Sequence, residues 1–369
     1  MKRSVRQVTG LQGITDLEEE PPPLILRETT YTQYDKIKDL ITFDDYQKVT
    51  AKYPFETTSY YLSLAENSPD DPVMKQLCPS VEELTDLDAE MDDPLEEAKS
   101  SPVPGLVHRY PDRVLLILTN VCFMNCRHCT RKRLWKMGRH SYSLQEIYHM
   151  IDYIKDHPEI RDVIISGGDP LTLSNEHLDE VLANLRAIPH VEIIRIGTRA
   201  PVVSPWRISY ELLQVLKKYR PIWINTQFNH AKEITLHSTD AVQRIIESGI
   251  PVNNQSVLLK GINDNVATMT KLCHGLLKIG VRPYYLYHCD MVSGTSHFRA
   301  PIAKGIEIIE GMRGHTSGLA VPTFVVDAVR GGGKIPLQPN YLLSMDGSLI
   351  TMRNHKHQSF IYNENRINL

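Results

Sequence analysis

The segment RVLLILTNVCFMNCRHCTR, residues 113–131, runs from an aliphatic stretch into a loop that carries three cysteines. Cys122, Cys126 and Cys129 follow the spacing Cys-x3-Cys-x2-Cys. A four-iron cluster usually takes four thiolate ligands, so three thiolates in one tight loop leave one iron without a protein ligand. An open iron of this kind can bind and activate a small molecule. The segment therefore predicts a strand followed by a [4Fe-4S] cluster that takes part in chemistry.

Zinc is the main alternative metal for these cysteines. Structural zinc takes four ligands, usually two pairs of Cys or His, and His128 is badly placed to join the loop cysteines. The other three cysteines, Cys78, Cys273 and Cys289, are scattered along the chain. Metal–thiolate chemistry in a reducing compartment therefore fits the six cysteines better than a disulfide framework does.

Length, charge and hydropathy narrow the class of protein. The chain has 369 residues, 41% of them hydrophobic, and a net charge of -3. This charge, without a long basic run, predicts no nucleic-acid partner. Residues 1–10 lack the apolar core of a signal peptide, and no apolar run approaches the roughly 20 residues of a membrane span. We therefore expect a cytoplasmic protein with no membrane partner.

Aliphatic and β-branched runs alternate with amphipathic segments from residue 113 onward. The runs occupy residues 113–119, 162–166, 191–197, 221–228, 251–258 and 281–287, and the amphipathic segments 144–155, 176–187, 209–219, 239–248 and 266–278. Repeated strand–helix units predict a parallel sheet. Six strands fall short of the eight of a closed barrel, so we predict an α/β fold, a partial (β/α)6 TIM-like barrel, with an open doubly wound sheet as the alternative.

The chain divides into three predicted regions. Residues 1–107 form a mainly helical N-terminal extension, residues 108–340 the barrel, and residues 341–369 a C-terminal segment. The extension is polar, with a Pro-rich run at 18–23 and an acidic stretch at 81–99 that holds nine Asp or Glu residues and one Lys. We interpret the acidic stretch as a solvated face of a partly irregular helical arm.

Residue types that can bind ligands or take part in catalysis follow five of the six predicted strands. After the cysteine loop come SGGDP at 166–170, GTR at 197–199, NH at 229–230 and HCD at 288–290. The carboxyl ends of parallel strands meet on one face of such a sheet, and active sites lie there. The order of the strands therefore predicts that these scattered motifs form one site.

The cysteine spacing directly after a first strand resembles the radical S-adenosylmethionine superfamily. In that superfamily the open iron chelates the methionyl end of S-adenosylmethionine, and one electron releases a 5′-deoxyadenosyl radical. The turn formed by Ser166, Gly167, Gly168 and Asp169 resembles the superfamily's cofactor-binding turn. Glycines at such a turn let a ligand approach the backbone closely.

A narrower resemblance covers residues 108–352, which are similar to the lysine 2,3-aminomutase family. It is carried by HRYPDRVLL at 108–116, the cysteine loop, QSVLLKGIND at 255–264 and the block 287–340. The resemblance implies an isomerase that uses S-adenosylmethionine and pyridoxal phosphate to move the amino group of L-lysine from C2 to C3. It also implies an electron donor such as flavodoxin or ferredoxin, and a homo-oligomer.

The resemblance implies a role for each matching position. Lys334 would form a Schiff base with pyridoxal phosphate, although the residues of the segment 327–336 by themselves favour a glycine hinge with a solvated lysine. The other positions matched to cofactor binding are Arg109, Tyr110, Arg113, Tyr287 and Gln255. Arg131 would bind the substrate carboxylate in bidentate fashion. Asp290 and Asp327 would receive the ε-ammonium, which needs paired negative charge in a low-dielectric pocket.

The chain departs from the family pattern at several positions. Val329 and Arg330 replace a Pro and a Gly, and Gln227 stands where the family often has His. Asn265 replaces a zinc-binding Cys, and the cysteine-rich tail that completes the family's zinc site does not follow before Leu369. We therefore expect no structural zinc, and an oligomer that uses other contacts.

Two alternatives stay open beside lysine isomerisation. The same chemistry could act on arginine, ornithine, glutamate or a lysine of a protein, because Arg330 lies near enough in sequence to pair with Asp327. A non-catalytic iron–sulfur protein is the alternative from another class. It would not need Lys334, Arg131 or the two aspartates.

Overall fold

The computed structural model describes residues 34–85, 87 and 90–366. The N-terminal stretch judged for a signal peptide and the Pro-rich run at 18–23 lie outside these residues. The described part of the extension contains the helices α1 (Phe43–Lys52), α2 (Ser59–Ser63) and α3 (Met74–Leu77) and a 3-10 turn at Val81–Leu84. Thr42 and Thr58 start α1 and α2 by accepting hydrogen bonds from backbone N–H groups in the first turn.

One sheet of nine strands dominates the fold and runs in sequence order. Its strands are β1 (Leu106–Tyr110), β2 (Arg113–Ile117), β3 (Asp162–Ser166), β4 (Ile193–Gly197), β5 (Ile222–Thr226), β6 (Val252–Leu258), β7 (Arg282–His288), β8 (Thr323–Ala328) and β9 (Gly333–Pro336). Neighbours from β2 to β8 are parallel, and β1 and β9 pair antiparallel at the two edges. The predicted α/β partial barrel is confirmed, with β8 as a parallel strand beyond the six predicted.

Helices cover the outside of this sheet. They are α4 (Leu144–Lys155), α5 (Asn175–Arg186), α6 (Ala200–Val203), α7 (Tyr210–Lys218), α8 (Leu236–Glu247), α9 (Val266–Lys278) and α10 (Ile302–Met312). Short 3-10 helices lie at Lys132–Met137, Pro170–Thr172, Pro205–Arg207, Ala231–Glu233, Ser296–Phe298, Gly318–Ala320 and Glu364–Arg366. Asn265, at the family's Cys position, caps α9 by accepting from the N–H of Thr268 at 2.9 Å. The side chain at this position therefore serves the helix start.

Alternation along the strands separates the core from the barrel interior. Val114 and Leu116 of β2 are fully buried, whereas Arg113 and Leu115 line a cavity inside the barrel. The same period of two recurs along β3 and β4. Successive side chains of a strand point to opposite faces, so one set of side chains packs outward against the helices while the other set, which includes Arg113 and Leu115, faces the cavity. This pattern places chemical groups inside the barrel without disturbing the core.

The two edge strands approach each other at the site. The N–H of Lys334 in β9 donates to the hydroxyl of Tyr110 in β1 at 2.9 Å. The register of β8 and β9 sets Asp327 opposite Lys334. The antiparallel turn after β8 therefore brings the lysine back to the carboxyl end of the barrel.

A second, smaller sheet follows the barrel. Its antiparallel strands are β10 (Leu342–Asp346), β11 (Leu349–Arg353) and β12 (Ser359–Asn363). Arg353 ties it to α10 through an ion pair with Glu310. Across the part of the chain that the structure describes, no helix is long and apolar enough to cross a bilayer.

Candidate functional site

A cavity of about 530 Å³ opens inside the barrel. All the candidate residues line it, namely Cys122, Cys126, Cys129, Lys334, Arg109, Tyr110, Arg113, Tyr287, Ser166, Gly167, Gly168, Asp169, Gln255, Arg131, Asp290 and Asp327. They come from strands spread over more than half of the chain. The topology thus gathers into one space the motifs that the strand order assigned to one face.

The three loop cysteines face this cavity as free thiols. The guanidinium of Arg199 donates to the Cys126 sulfur at 2.9 Å, and the N–H of Arg131 donates to the Cys129 sulfur at 3.3 Å. Burial, and next the neighbouring Cys126, raise the pKa of the Cys129 thiol to about 11. A bound cation removes such a proton, and the donors then stabilise the thiolate.

The arrangement of the three thiols differs from that of a single-ion site. Among residues 34–85, 87 and 90–366, no three His, Cys, Asp or Glu side chains converge tightly enough for a single ion. A four-iron cluster distributes its thiolates over separate irons and does not need that convergence. Three thiols around one cavity, with N–H donors aimed at two of the sulfurs, fit a cluster better than a zinc ion.

A buried acid from the N-terminal extension anchors the cysteine loop. Glu83 is 0% exposed and accepts from Arg127 Nη2 at 2.7 Å and from Lys132 Nζ at 2.7 Å. Arg127 also donates to the carbonyl oxygens of Tyr53 and Pro54. Residues that precede the barrel in the chain therefore hold the cysteine loop in place.

The interpretation of residues 81–99 as a solvated acidic face is wrong at three positions. The side chains of Glu83, Glu90 and Glu97 are at most 6% exposed, and they pair with arginines or a lysine of the barrel. A buried carboxylate is retained only when cations and hydrogen bonds compensate its desolvation. Acids of this stretch thus neutralise cations in and next to the cysteine loop. Counting charges along the sequence could not show this pairing.

The glycine turn after β3 packs directly against the cysteine loop. Gly167 adopts φ +130°, and a Cβ there would lie 2.2 Å from the Thr119 carbonyl oxygen. A Cβ on Gly168 would lie 2.4 Å from the Val121 carbonyl oxygen. Both glycines are therefore required for close approach of two backbones beside the cluster loop.

The carboxylate of Asp169 is engaged by the protein itself. It accepts from the Thr198 hydroxyl at 2.7 and 2.9 Å and from the backbone N–H groups of Arg199 and Leu171 at 2.8 and 3.0 Å. These contacts fix the loop after β4 relative to the glycine turn. A role of Asp169 in cofactor binding stays a prediction. Because its carboxylate oxygens already accept hydrogen bonds from the protein, we expect it to act by holding the turn in place.

Lys334 is directed into the cavity by an ion pair. Its Nζ lies 3.1 Å from both oxygens of Asp327 and 5.2 Å from the centre of the Tyr287 ring. Its side chain is 35% exposed, whereas that of Asp327 is 6% exposed. This geometry favours a functional amine over the glycine hinge with a solvated lysine.

The wall beside Lys334 presents cationic groups suited to a phosphate. Arg113 stacks over the Tyr110 ring at 3.9 Å. Arg109 donates through Nη2 to the Leu95 carbonyl, while its buried Nε has no hydrogen-bond acceptor in the described part of the chain. Buried donors are almost always satisfied, so this orphaned group at the cavity wall fits an anionic ligand. The residues thus fit pyridoxal phosphate.

The guanidinium of Arg131 already has one protein partner. Glu97 accepts from its Nη2 at 2.7 Å and from its Nε at 3.0 Å, and also from Arg133 at 2.6 Å. Burial alone raises the pKa of Glu97, but Arg131 and Arg133 outweigh it and lower the pKa to about 2. One edge of Arg131 is therefore occupied by Glu97, and the binding of a substrate carboxylate by Arg131 stays a prediction.

Asp290 and Asp327 form the acidic end of the cavity. Burial, together with the nearby charge of Asp327, raises the pKa of Asp290 to about 6. Arg330 does not neutralise this pair, because it is exposed at φ +59° and Asp327 is paired with Lys334. Gln227 contacts His128 at 3.0 Å on the opposite side of the cavity.

Two residues of the site were missed from the sequence. Glu97 lies in a stretch rich in acids, and no spacing distinguishes it from its neighbours. Arg199 belongs to the GTR motif, which the strand order correctly placed on the same face as the cysteine loop. Its contact with Cys126 could not be predicted from the sequence. Both depend on which distant side chains meet.

Comparisons with known proteins agree with this geometry. Residues 116–273 match the family model of the radical SAM superfamily, and residues 309–366 match the lysine-2,3-aminomutase family model. The L-lysine 2,3-aminomutase of Clostridium subterminale is 54% identical over 308 residues, 83% of this chain and 74% of that protein. The Bacillus subtilis L-lysine 2,3-aminomutase is 51% identical over 88% of this chain and 70% of its own length. A glutamate 2,3-aminomutase of Clostridioides difficile is 41% identical over 87% of this chain and 78% of its own.

Proposed function

The chain belongs to the lysine 2,3-aminomutase family, and from that premise we propose that it isomerises L-lysine to β-lysine by moving an amino group between adjacent carbons. The observation that carries the proposal is that the three cysteines of the loop and Lys334 line the same cavity. The family is an isomerase family of the radical SAM superfamily, so a [4Fe-4S] cluster and S-adenosylmethionine are its cofactors. Pyridoxal phosphate as the third cofactor is supported by Lys334 and by the orphaned donor of Arg109.

Different residues around the cavity would bind the iron–sulfur cluster and pyridoxal phosphate. The cysteine loop would hold the cluster, and Lys334, Arg109, Tyr110 and Arg113 would hold pyridoxal phosphate. When bound, the cluster with S-adenosylmethionine supplies a one-electron start, and pyridoxal phosphate supplies a conjugated ring that spreads an unpaired electron. The barrel wall excludes water and holds the reacting groups close, which a reactive carbon radical requires.

The charges of the cavity match a cationic amino acid at both ends. Arg131 presents Nη1 to the substrate carboxylate, and Glu97 keeps the guanidinium in that orientation. Asp327 holds the amine of Lys334, a cation of the same kind as the substrate ε-ammonium, so Asp327 and Asp290 can receive that ammonium in its place. The outward position of Arg330 leaves the acidic pair intact and supports lysine over glutamate.

Product analysis tests the substrate. Anaerobically reconstituted enzyme with reductant, S-adenosylmethionine and pyridoxal phosphate is incubated separately with lysine, arginine, ornithine and glutamate. We expect a β-isomer from lysine and not from glutamate, because a second carboxylate would meet Asp290 and Asp327. A reaction that omits S-adenosylmethionine is the control. A β-isomer from glutamate alone would contradict the proposal.

Lysine binding is expected to weaken below about pH 6. The raised pKa of Asp290 means that its carboxylate is present above that pH and is protonated below it. A cationic substrate binds the carboxylate form, so Kd is expected to rise by about tenfold per pH unit on the acid side. Calorimetric titration with lysine at a series of pH values measures this slope.

The Asp290→Asn variant is the control for that pH dependence. It removes the titrating group, so we expect weak binding at neutral pH and a nearly flat profile through pH values near 6. A wild-type Kd that stays constant as the pH falls from about 8 to about 5 would show that Asp290 does not hold the ammonium.

Other partners follow from the same proposal. The cluster needs a one-electron donor such as flavodoxin or ferredoxin. A homo-oligomer is supported by apolar side chains on the smaller sheet formed by β10, β11 and β12, where Ile361 is 73% exposed and Met345 64% exposed. No structural zinc is expected, because the side chain of Asn265 is an amide that caps α9.

A further inference from the structure

Arg199 lies behind the cysteine loop and is 7% exposed. Its Nη1 donates to the Cys126 sulfur at 2.9 Å. Its Nε donates to the Gln227 carbonyl oxygen at 3.2 Å. Among the three cluster cysteines, Cys126 thus receives a charged hydrogen-bond donor from a side chain of another strand's loop.

The remaining end of the guanidinium is held by buried acceptors. Nη2 donates to Gln76 at 2.6 Å, to Glu233 at 2.6 Å and to the Tyr61 hydroxyl at 3.0 Å. Glu233 and Gln76 are 0% exposed, and Tyr61 is also fully buried. Two of these three acceptors belong to the N-terminal extension. The extension therefore sets the position of Arg199 relative to the sulfur.

Arg199 is also tied to the glycine turn. Its backbone N–H donates to Asp169 at 2.8 Å, and Asp169 binds the neighbouring Thr198 hydroxyl. The guanidinium is thereby fixed from the main chain and from the far end of the side chain. A donor fixed at both ends cannot turn away from Cys126 without breaking several buried hydrogen bonds.

A hydrogen bond to a ligand sulfur changes the energetics of an iron–sulfur cluster. Reduction adds negative charge, part of which resides on the thiolates, so a donor at sulfur stabilises the reduced state and raises the reduction potential. A guanidinium is permanently charged, and in a buried site its effect is stronger than in water. The effect is largest for a donor in direct contact with the sulfur.

We infer that Arg199 is a positioning residue that raises the reduction potential of the cluster through its hydrogen bond to the Cys126 thiolate, with Tyr61 and Gln76 of the extension fixing its geometry. The inference rests on the proposed function in one respect, namely that the cysteine loop holds the cluster. Iron and sulfide analysis of the reconstituted protein tests that premise separately. A protein without a cluster would overturn the proposed function itself.

The wild-type enzyme provides the first test. Protein is produced with arginine labelled with 15N in the two Nη positions, reconstituted, reduced, and studied by pulsed electron paramagnetic resonance. We expect a 15N hyperfine coupling from one guanidinium, carried across the hydrogen bond at Cys126. The Nη label excludes the backbone N–H of Arg131 at Cys129. A reduced cluster without this coupling would overturn the inference.

Variants then measure the potential. In Arg199→Lys and Arg199→Gln the reduction potential of the cluster is expected to shift to more negative values, with the larger shift in the glutamine variant. Arg186→Lys and Arg186→Gln are the matched controls, since Arg186 donates to the carbonyl oxygens of Tyr219 and Pro221 and does not line the cavity. A purely structural role would destabilise both pairs and leave both potentials unchanged. Unchanged potentials in the Arg199 variants would refute the tuning role.

Discussion

The Lys334→Ala variant is expected to keep its iron–sulfur cluster while losing bound pyridoxal phosphate and lysine isomerisation. Lysine turnover should fall by roughly 10³-fold or more, the scale found when a covalent group is removed from an active site. The reason is geometric, because no other lysine of the described residues lines the cavity. Asp327 at 3.1 Å also holds this amine in place. Visible absorbance of the cofactor and β-lysine formation are the measurements.

The control for Lys334 is a partly exposed lysine outside the cavity. Lys304 on α10 pairs with Glu307 and does not line the cavity, so Lys304→Ala should leave cofactor absorbance and turnover unchanged. Iron analysis shows whether the cluster is equally loaded in both variants. Near-normal turnover in Lys334→Ala would remove the pyridoxal phosphate half of the proposed function. The cluster half would stand.

The Glu83→Gln variant is expected to show the largest loss of stability. The amide keeps the size of Glu83 but leaves Arg127 and Lys132 without their counter-charge in a site with no exposure. Breaking a buried pair in this way costs about 3–5 kcal/mol. Burial lowers the pKa of Lys132 to about 8, so it can shed its proton, whereas Arg127 stays charged. The urea midpoint of the anaerobic protein measures the loss, and release of iron to a chelator should become faster.

The pH dependence distinguishes this ion pair from a loss of packing. Burial by itself raises the pKa of Glu83, but Arg127 and Lys132 outweigh it and hold the pKa below its ordinary value. The contribution of Glu83 is therefore present above the ordinary Glu range and is lost as the pH falls through the lowered pKa. The difference between wild type and variant should shrink accordingly in acid.

An exposed acid serves as the control for Glu83. Glu192 pairs with Arg161 at the surface, and both side chains are more than half exposed. Such pairs contribute little, so Glu192→Gln should leave the urea midpoint unchanged. If the urea midpoint of Glu83→Gln were also unchanged, the ion pairs of Glu83 with Arg127 and Lys132 would contribute nothing measurable to stability.

Local patterns in the sequence predicted the parts of this protein that depend on neighbours along the chain. Aliphatic and β-branched runs, such as the one at residues 113–119, predicted strands, and the Cys122–Cys129 spacing predicted a cluster loop. The parallel strand β8 was not predicted, and its segment TFVVDA at 323–328 contributes to the sequence analysis only through the block 287–340 that carries the family resemblance. Its role as a strand becomes clear once it pairs with β7.

The sequence by itself determined the class of fold and the family and predicted the kind of metal centre, because aliphatic runs, ligand spacing and motif order are properties of consecutive residues. Only the tertiary structure decided which charges are paired. Glu83 meets Arg127 across 44 residues, Glu97 meets Arg131 across 34, and Arg199 meets Cys126 across 73. The energy of such a pair depends on distance and on burial in space, and neither has a period along the chain. Glu83 and Glu97, which look like part of a solvated acidic run in the sequence, therefore hold the cysteine loop in the folded protein.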